Sequence, residues 1–142
     1  MYIVIRIRGT VGLKSDIKDT LTMLRLNKKM HCVILNDNES MRGMLQKVKD
    51  YVTWGEVNDD ALKLLLEKRG RKVGEQKISA EEVQHLLKEI KSGKKLNDLG
   101  LKPVFRLTPP SGGFKESIKQ HFPKGELGYR ENKINDLIKK MM

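Results

Sequence analysis

Cysteine is almost missing from the 142 residues: Cys32 stands alone, so an internal disulfide is excluded. It lies in the apolar run Cys32-Val33-Ile34-Leu35, where it reads as a small buried hydrophobe suited to a reducing cytoplasm. His31, His85 and His121 are far apart along the chain, which leaves no tight Cys/His ligand spacing for zinc. Aromatics make up only 5%, and the single Trp54 is expected in the core rather than on a base. Nowhere do about eighteen apolar residues run together, so neither a spanning helix nor a leader peptide is expected. Gly70-Arg-Lys-Val-Gly74 and Gly93-Lys-Lys95 lack the Gly-Lys-Ser/Thr ending of a nucleotide loop. Ser111 lacks the glycine two residues earlier that a nucleophile elbow requires. No catalytic residue, metal or cofactor is therefore expected, and no internal repeat or low-complexity tract is present.

What the chain has in excess is positive charge. Lys and Arg number 29 against 18 Asp and Glu, a formal net charge of +11, far beyond what solubility needs. Ten basic residues face seven acidic ones in 1–59, eleven face seven in 60–102, and eight face four in 103–142, so no detachable tail holds the excess. A polyanion is the economical partner, and no segment combines apolar bulk and cations as a membrane-surface helix would. With 38% hydrophobic residues the chain has material for a core.

Periodicity places the elements. Tyr2 to Arg8 alternates, Ile3, Ile5 and Ile7 against Tyr2, Val4, Arg6 and Arg8, as in a half-exposed strand with two arginines projecting from one face. Ser15 or Asp16 would cap a helix through Ile17, Leu21 and Leu24, and Cys32 to Leu35 reads as a buried strand. Asn36-Asp37-Asn38 precedes the clearest amphipathic series, Met41, Met44, Leu45, Val48 and Val52, with both methionines facing the core. Trp54 to Val57 adds a third strand. The class is thus α+β, a ferredoxin-like β-α-β-α-β core over 1–57 with a small antiparallel sheet and helices on one side. A helical elaboration follows over 58–103: Leu62, Leu65 and Leu66 mark a helix ending near Gly70, and Ser79 with Glu82 opens another through Val83, Leu86, Leu87 and Ile90, stopped by Gly93. Over 104–142 come a strand at Val104 to Leu107, ended by Pro109-Pro110, and a last helix through Ile134, Leu137, Ile138 and Met141, packing on the core.

Three stretches are suited to RNA. The Gly9-Thr-Val-Gly12 turn, which follows a strand rather than joining helices as a KH-type clamp does, is flanked by Arg6, Arg8 and Lys14, and would look the same as a bare turn. Lys68-Arg69-Gly-Arg71-Lys72 places four cations across a helix end, either for phosphates or for the helix dipole. Arg106-Leu-Thr-Pro-Pro-Ser111-Gly112-Gly113-Phe-Lys115 joins a stiff proline pair, glycines, a hydroxyl, an aromatic and cations in a loop that cannot pack on itself, and could equally be a plain surface loop. Lys28 and Lys29 complete the set on charge.

With these pieces in order the chain resembles the universal large-subunit ribosomal protein family numbered thirty in bacterial and archaeal nomenclature and seven in the eukaryotic one. The resemblance rests on Val4-Ile-Arg-Ile-Arg-Gly9, Arg42-Gly-Met44, Tyr51-Val-Thr-Trp-Gly55, Lys68-Arg-Gly70, Phe105 to Gly113 and Gly128 to Lys140, in family order along essentially the whole chain. It implies a structural role on large-subunit rRNA in the cytoplasm, contact with neighbouring ribosomal proteins, and no enzyme. Residues beyond Val57 resemble the longer branch, and the start at the first strand resembles its archaeal type. The resemblance supports RNA contact at Arg42, at the Arg106 to Lys115 loop, and at Arg130 with Lys133 beside it, whereas 71–103 follows the family loosely. Two other readings are a small ferredoxin-like phosphate-handling hydrolase and a DNA- or ligand-binding module.

Overall fold

The computed structural model describes residues 1–9, 11–74 and 76–142; Thr10 of the Gly9 turn lies outside the described residues. In chain order the elements are β1 (Tyr2–Arg6), α1 (Ser15–Met23), β2 (His31–Leu35), α2 (Glu39–Lys47), β3 (Val52–Glu56), α3 (Asp59–Arg69), α4 (Ala80–Lys91), β4 (Val104–Arg106), β5 (Ser117–His121), β6 (Gly125–Tyr129) and α5 (Ile134–Met141). The α+β class and the ferredoxin-like β-α-β-α-β core hold. No helix among the described residues is long and apolar enough to cross a membrane.

The sheet is larger and more mixed than expected. Its six strands run in the order β4-β2-β1-β3-β6-β5. The pairs β1–β2, β1–β3 and β2–β4 are antiparallel, whereas β3 and β6 are parallel. Strand β5 joins β6 with an irregular register. The β5–β6 segment has no strand signature in the sequence, because β5 is exposed along its whole length and β6 contains two glycines and a charge.

Strand β1 is not half-exposed: all five of its residues are buried. Its alternation separates one core from another. Ile3, Ile5 and Ile7 pack with Leu62, Leu65 and Leu66 of α3, Val83 and Ile90 of α4, and Ile134, Ile138 and Met141 of α5. Tyr2 and Val4 pack with Leu21 and Leu24, with Leu45 and Val48 at α2, and with Val52 and Trp54 of β3. The two core helices α1 and α2 thus share one face of the sheet, as expected, and α3, α4 and α5 cover the other. Each fully buried Leu or Ile contributes roughly 1.5–3 kcal/mol relative to exposure, so β1 is the strand that both cores depend on.

Caps fix the helix starts. The Asn38 side chain accepts from Met41 N–H at 2.8 Å, Asn58 accepts from Ala61 N–H at 2.8 Å, and Ser79 accepts from Glu82 N–H at 3.4 Å. For α1 neither expected cap serves: Lys14 occupies the cap position without a side-chain bond, and Asp16 accepts from its neighbour Ile17 N–H. Val52 continues the spacing of α2 but belongs to β3, since the helix ends at Lys47 and Tyr51 N–H closes a turn onto Val48 O. Trp54 is buried, as expected, and Met41 and Met44 pack half-buried against the α1/α2 core.

Candidate nucleic-acid interface

Two basic clefts form where loops leave the sheet. At the first, the N–H groups of Ile7 and Arg8 both donate to Tyr51 O, at 2.9 and 3.2 Å, which turns the chain out of β1. The Arg8 guanidinium then lies 5.2 Å from the Tyr51 ring centre, a cation–π contact. Arg8, Lys28 and Lys29 line a cleft of about 450 Å³ with Gly9, Val11, Asn27 and Tyr51. A Cβ at Gly9 would come 2.8 Å from Lys29 Cε, so the glycine lets the lysine lie across the turn. Lys14 is exposed at the start of α1, the end of a helix where a cation is not stabilised by the dipole.

The second cleft, of about 290 Å³, gathers chain segments distant in sequence. Ser111, Gly113 and Lys115 come from the loop after β4, Arg130 follows β6, and Lys133 precedes α5. The loop is held by a hydrogen bond from Gly113 N–H to Pro110 O at 2.8 Å, with Gly112 and Gly113 at φ of 77° and 82°. That turn needs positive φ at its third residue, which glycine supplies without steric cost. Arg106 is exposed on the edge strand opposite His31, away from this cleft.

Two of the residues expected to meet RNA are buried. Arg6 is 2% exposed; its Nη1 donates to Leu26 O at 2.7 Å and its Nε to Arg8 O at 2.9 Å, so it braces the turn from inside. Burial lowers its pKa from the ordinary arginine value. Arg130 is 6% exposed; its Nε donates to Thr53 Oγ1 and its Nη2 to the Glu126 carboxylate, both at 2.8 Å. Both guanidiniums hold protein groups rather than facing solvent.

Other candidates are engaged at the surface. Arg42 Nε donates to Asp37 Oδ1 at 2.6 Å, and this bond holds the Asp37 carboxyl below the usual carboxylate range. Around α3 the four cations part company. Arg71 turns back onto Gly70 O at 2.8 Å, Lys72 pairs with Glu82 at 2.6 Å, and Arg69 reaches Thr108 Oγ1 at 3.5 Å. Arg71 thus meets a carbonyl at the end of α3, Lys72 meets a carboxylate in the first turn of α4, and Lys68 is exposed. Exposed ion pairs of this kind add little stability and exchange readily for another anion.

The profile of the family described as ribosomal protein L30p/L7e matches residues 2–52, from β1 to the start of β3. Relatives extend the match along the chain. The large ribosomal subunit protein uL30 of Archaeoglobus fulgidus is 49% identical over 152 aligned positions, covering 99% of each chain. That of Methanococcus maripaludis is 47% identical with the same coverage, and that of Nanoarchaeum equitans 46% over 97% of this chain and 96% of its own. This chain belongs to the L30p/L7e family. It is of the archaeal type, and it is a structural protein, not an enzyme.

Family membership removes the hydrolase reading. Sequence patterns alone do not single out three residues that the clefts contain: Tyr51 beneath Arg8, and Phe122 and Lys140 in the second cleft. Tyr51 lies within the 2–52 profile match, and Lys140 ends the last of the stretches on which the sequence resemblance rests. Phe122 gives no signal, because it sits in the β5–β6 segment that periodicity does not reveal.

Proposed function

We propose that the chain is a structural constituent of the large ribosomal subunit, in the cytoplasm, where it binds large-subunit rRNA and abuts neighbouring ribosomal proteins. The observation that carries the reading is the cleft at the Gly9 turn: three cations converge there, and no carboxylate is among its described lining residues. Like charges gathered without an internal counter-charge repel one another until a polyanion joins them.

Half-buried Arg8 and exposed Lys14, Lys28, Lys29, Lys68, Arg106, Lys115 and Lys133 neutralise phosphates, and counterion release supplies most of the affinity. Arg42 joins them by exchanging Asp37 for a phosphate, and Arg69, Arg71 and Lys72 contribute long-range charge. The Ser111-Gly112-Gly113 turn, which carries no side chain beyond a hydroxymethyl, lets an RNA backbone approach closely. Arg6 and Arg130 act indirectly, by holding the two cleft walls.

The test is filter binding of the purified chain to large-subunit rRNA across a salt series. The logarithm of affinity is expected to fall linearly with the logarithm of salt, and rRNA is expected to outcompete duplex DNA. A flat salt dependence, or equal affinity for duplex DNA, would overturn the reading.

A further inference from the structure

The second cleft holds features that phosphate neutralisation does not use. Phe122 follows β5 and is 38% exposed, although it is a large apolar ring. The Arg130 guanidinium lies 5.6 Å from its ring centre, and Arg130 is itself fixed by Thr53 and Glu126. The ring is thus backed by a buried, hydrogen-bonded cation, yet more than a third of its surface remains open. Half-buried Phe114 lines the same cleft, and exposed Lys115, Lys133 and Lys140 surround it. The acidic residues of the lining are Glu116, Glu126 and Asp136; Glu126 is bound to Arg130 and accepts from Glu116 N–H at 3.1 Å.

We infer that this cleft receives a single unpaired nucleotide of RNA, its base laid on Phe122 and its phosphates met by Lys115, Lys133 and Lys140. An apolar platform ringed by cations is the combination that unstacked nucleotides require: the π-face of any base stacks on an aromatic ring, and the flanking phosphates need positive charge. A paired helix offers neither an open base face nor a segment narrow enough to enter about 290 Å³ between the loop after β4, the β5–β6 segment and α5. The inference rests on the rRNA reading above and deepens it, from clustered phosphates to one displaced base.

The experiment uses the full chain and a large-subunit rRNA transcript, read in two ways. Hydroxyl-radical footprinting reports the backbone contact, and chemical probing of base edges reports each unpaired nucleotide. Wild type is expected to protect one unpaired base inside the footprint. Phe122→Ala is expected to restore the reactivity of that base and weaken binding about tenfold, with the backbone footprint otherwise unchanged. Phe122→Trp keeps a stacking ring and is expected to retain the protection, which separates stacking from a folding defect. A footprint in which every protected base is paired overturns the inference while leaving the rRNA reading intact. The inference also fails if Phe122→Ala leaves both base reactivity and affinity as in wild type, the result a protein-docking cleft would give. Absence of any footprint overturns the rRNA reading itself.

Discussion

Arg130 and Glu126 form an ion pair of 2.8 Å in which both side chains are buried. The pair ties the parallel strand β6 to β3, because the same guanidinium also donates to Thr53 Oγ1 and Thr53 in turn donates to Gly128 O at 2.9 Å. Removing one member leaves the other charged and desolvated, which costs about 3–5 kcal/mol, whereas replacing both by apolar groups is close to neutral. Glu126→Ala is therefore expected to lower urea stability by about that amount, and Glu126→Leu combined with Arg130→Met to recover most of it. A double variant no more stable than the single one would refute the buried pair.

Two glycines are expected to respond in opposite directions. A Cβ on Gly55 of β3 would sit 1.9 Å from Glu131 O and 2.9 Å from Ile134 Cγ2, so the turn entering α5 lies directly on the strand. Gly55→Ala must push backbone away from backbone and is expected to cost about 3 kcal/mol or more. Gly43 lies within α2 with nothing near its Cβ position. Gly43→Ala is expected to stabilise by about 0.5–1 kcal/mol, through reduced freedom of the unfolded chain. Thermal melts of both variants check the pair.

His31 gives the fold a dependence on mild acid. Burial is the main cause of its lowered pKa, with the charges of Arg106, Lys28 and Arg6 adding to it, and its Nδ1 is buried with no partner among the described residues. Because the folded pKa lies below the roughly 6.5 of a free imidazole, the unfolded chain takes up the proton first. The stability that the neutral ring contributes is complete above about pH 6.5 and is lost as pH falls below it. Asp37, Glu82 and Glu89 are also held below the usual carboxylate range, so their loss comes at lower pH, under about 4.5. Urea titrations at about pH 7.5 and pH 5.5 are expected to show a stability drop that His31→Gln largely removes.

How far the fold is legible in the sequence follows from how each residue meets its surroundings. The apolar series of α3, α4 and α5 repeat at helical spacing, and every named member is buried. The alternation locates strand β1 but misleads about its exposure, because Arg6 looks like a solvent marker until Leu26 O and Arg8 O are brought to it by the fold. Glu126 hides β6 in the same way: a lone carboxylate between glycines reads as loop, and only its pairing with Arg130 makes it a core residue. The first cleft is legible in part, since Arg8 and Gly9 are adjacent in sequence while Lys28 and Lys29 arrive through tertiary structure. The second is not, because it joins a loop, the β5–β6 segment without hydrophobic alternation, and the last helix.

The contrast between buried and exposed cations separates stability from binding. Lys29 and Lys115 are exposed in the two clefts and take no part in the core. Lys29→Ala and Lys115→Ala are each expected to leave the melting temperature unchanged and to lower the salt slope of rRNA binding by about one. Arg6→Ala should do the reverse. It strips Leu26 O and Arg8 O of their donor, each loss costing about 1–3 kcal/mol, while the slope of the molecules that remain folded stays as in wild type. If Arg6→Ala instead lowered the slope at unchanged stability, its guanidinium would be facing phosphate and the bracing role assigned to it would be wrong.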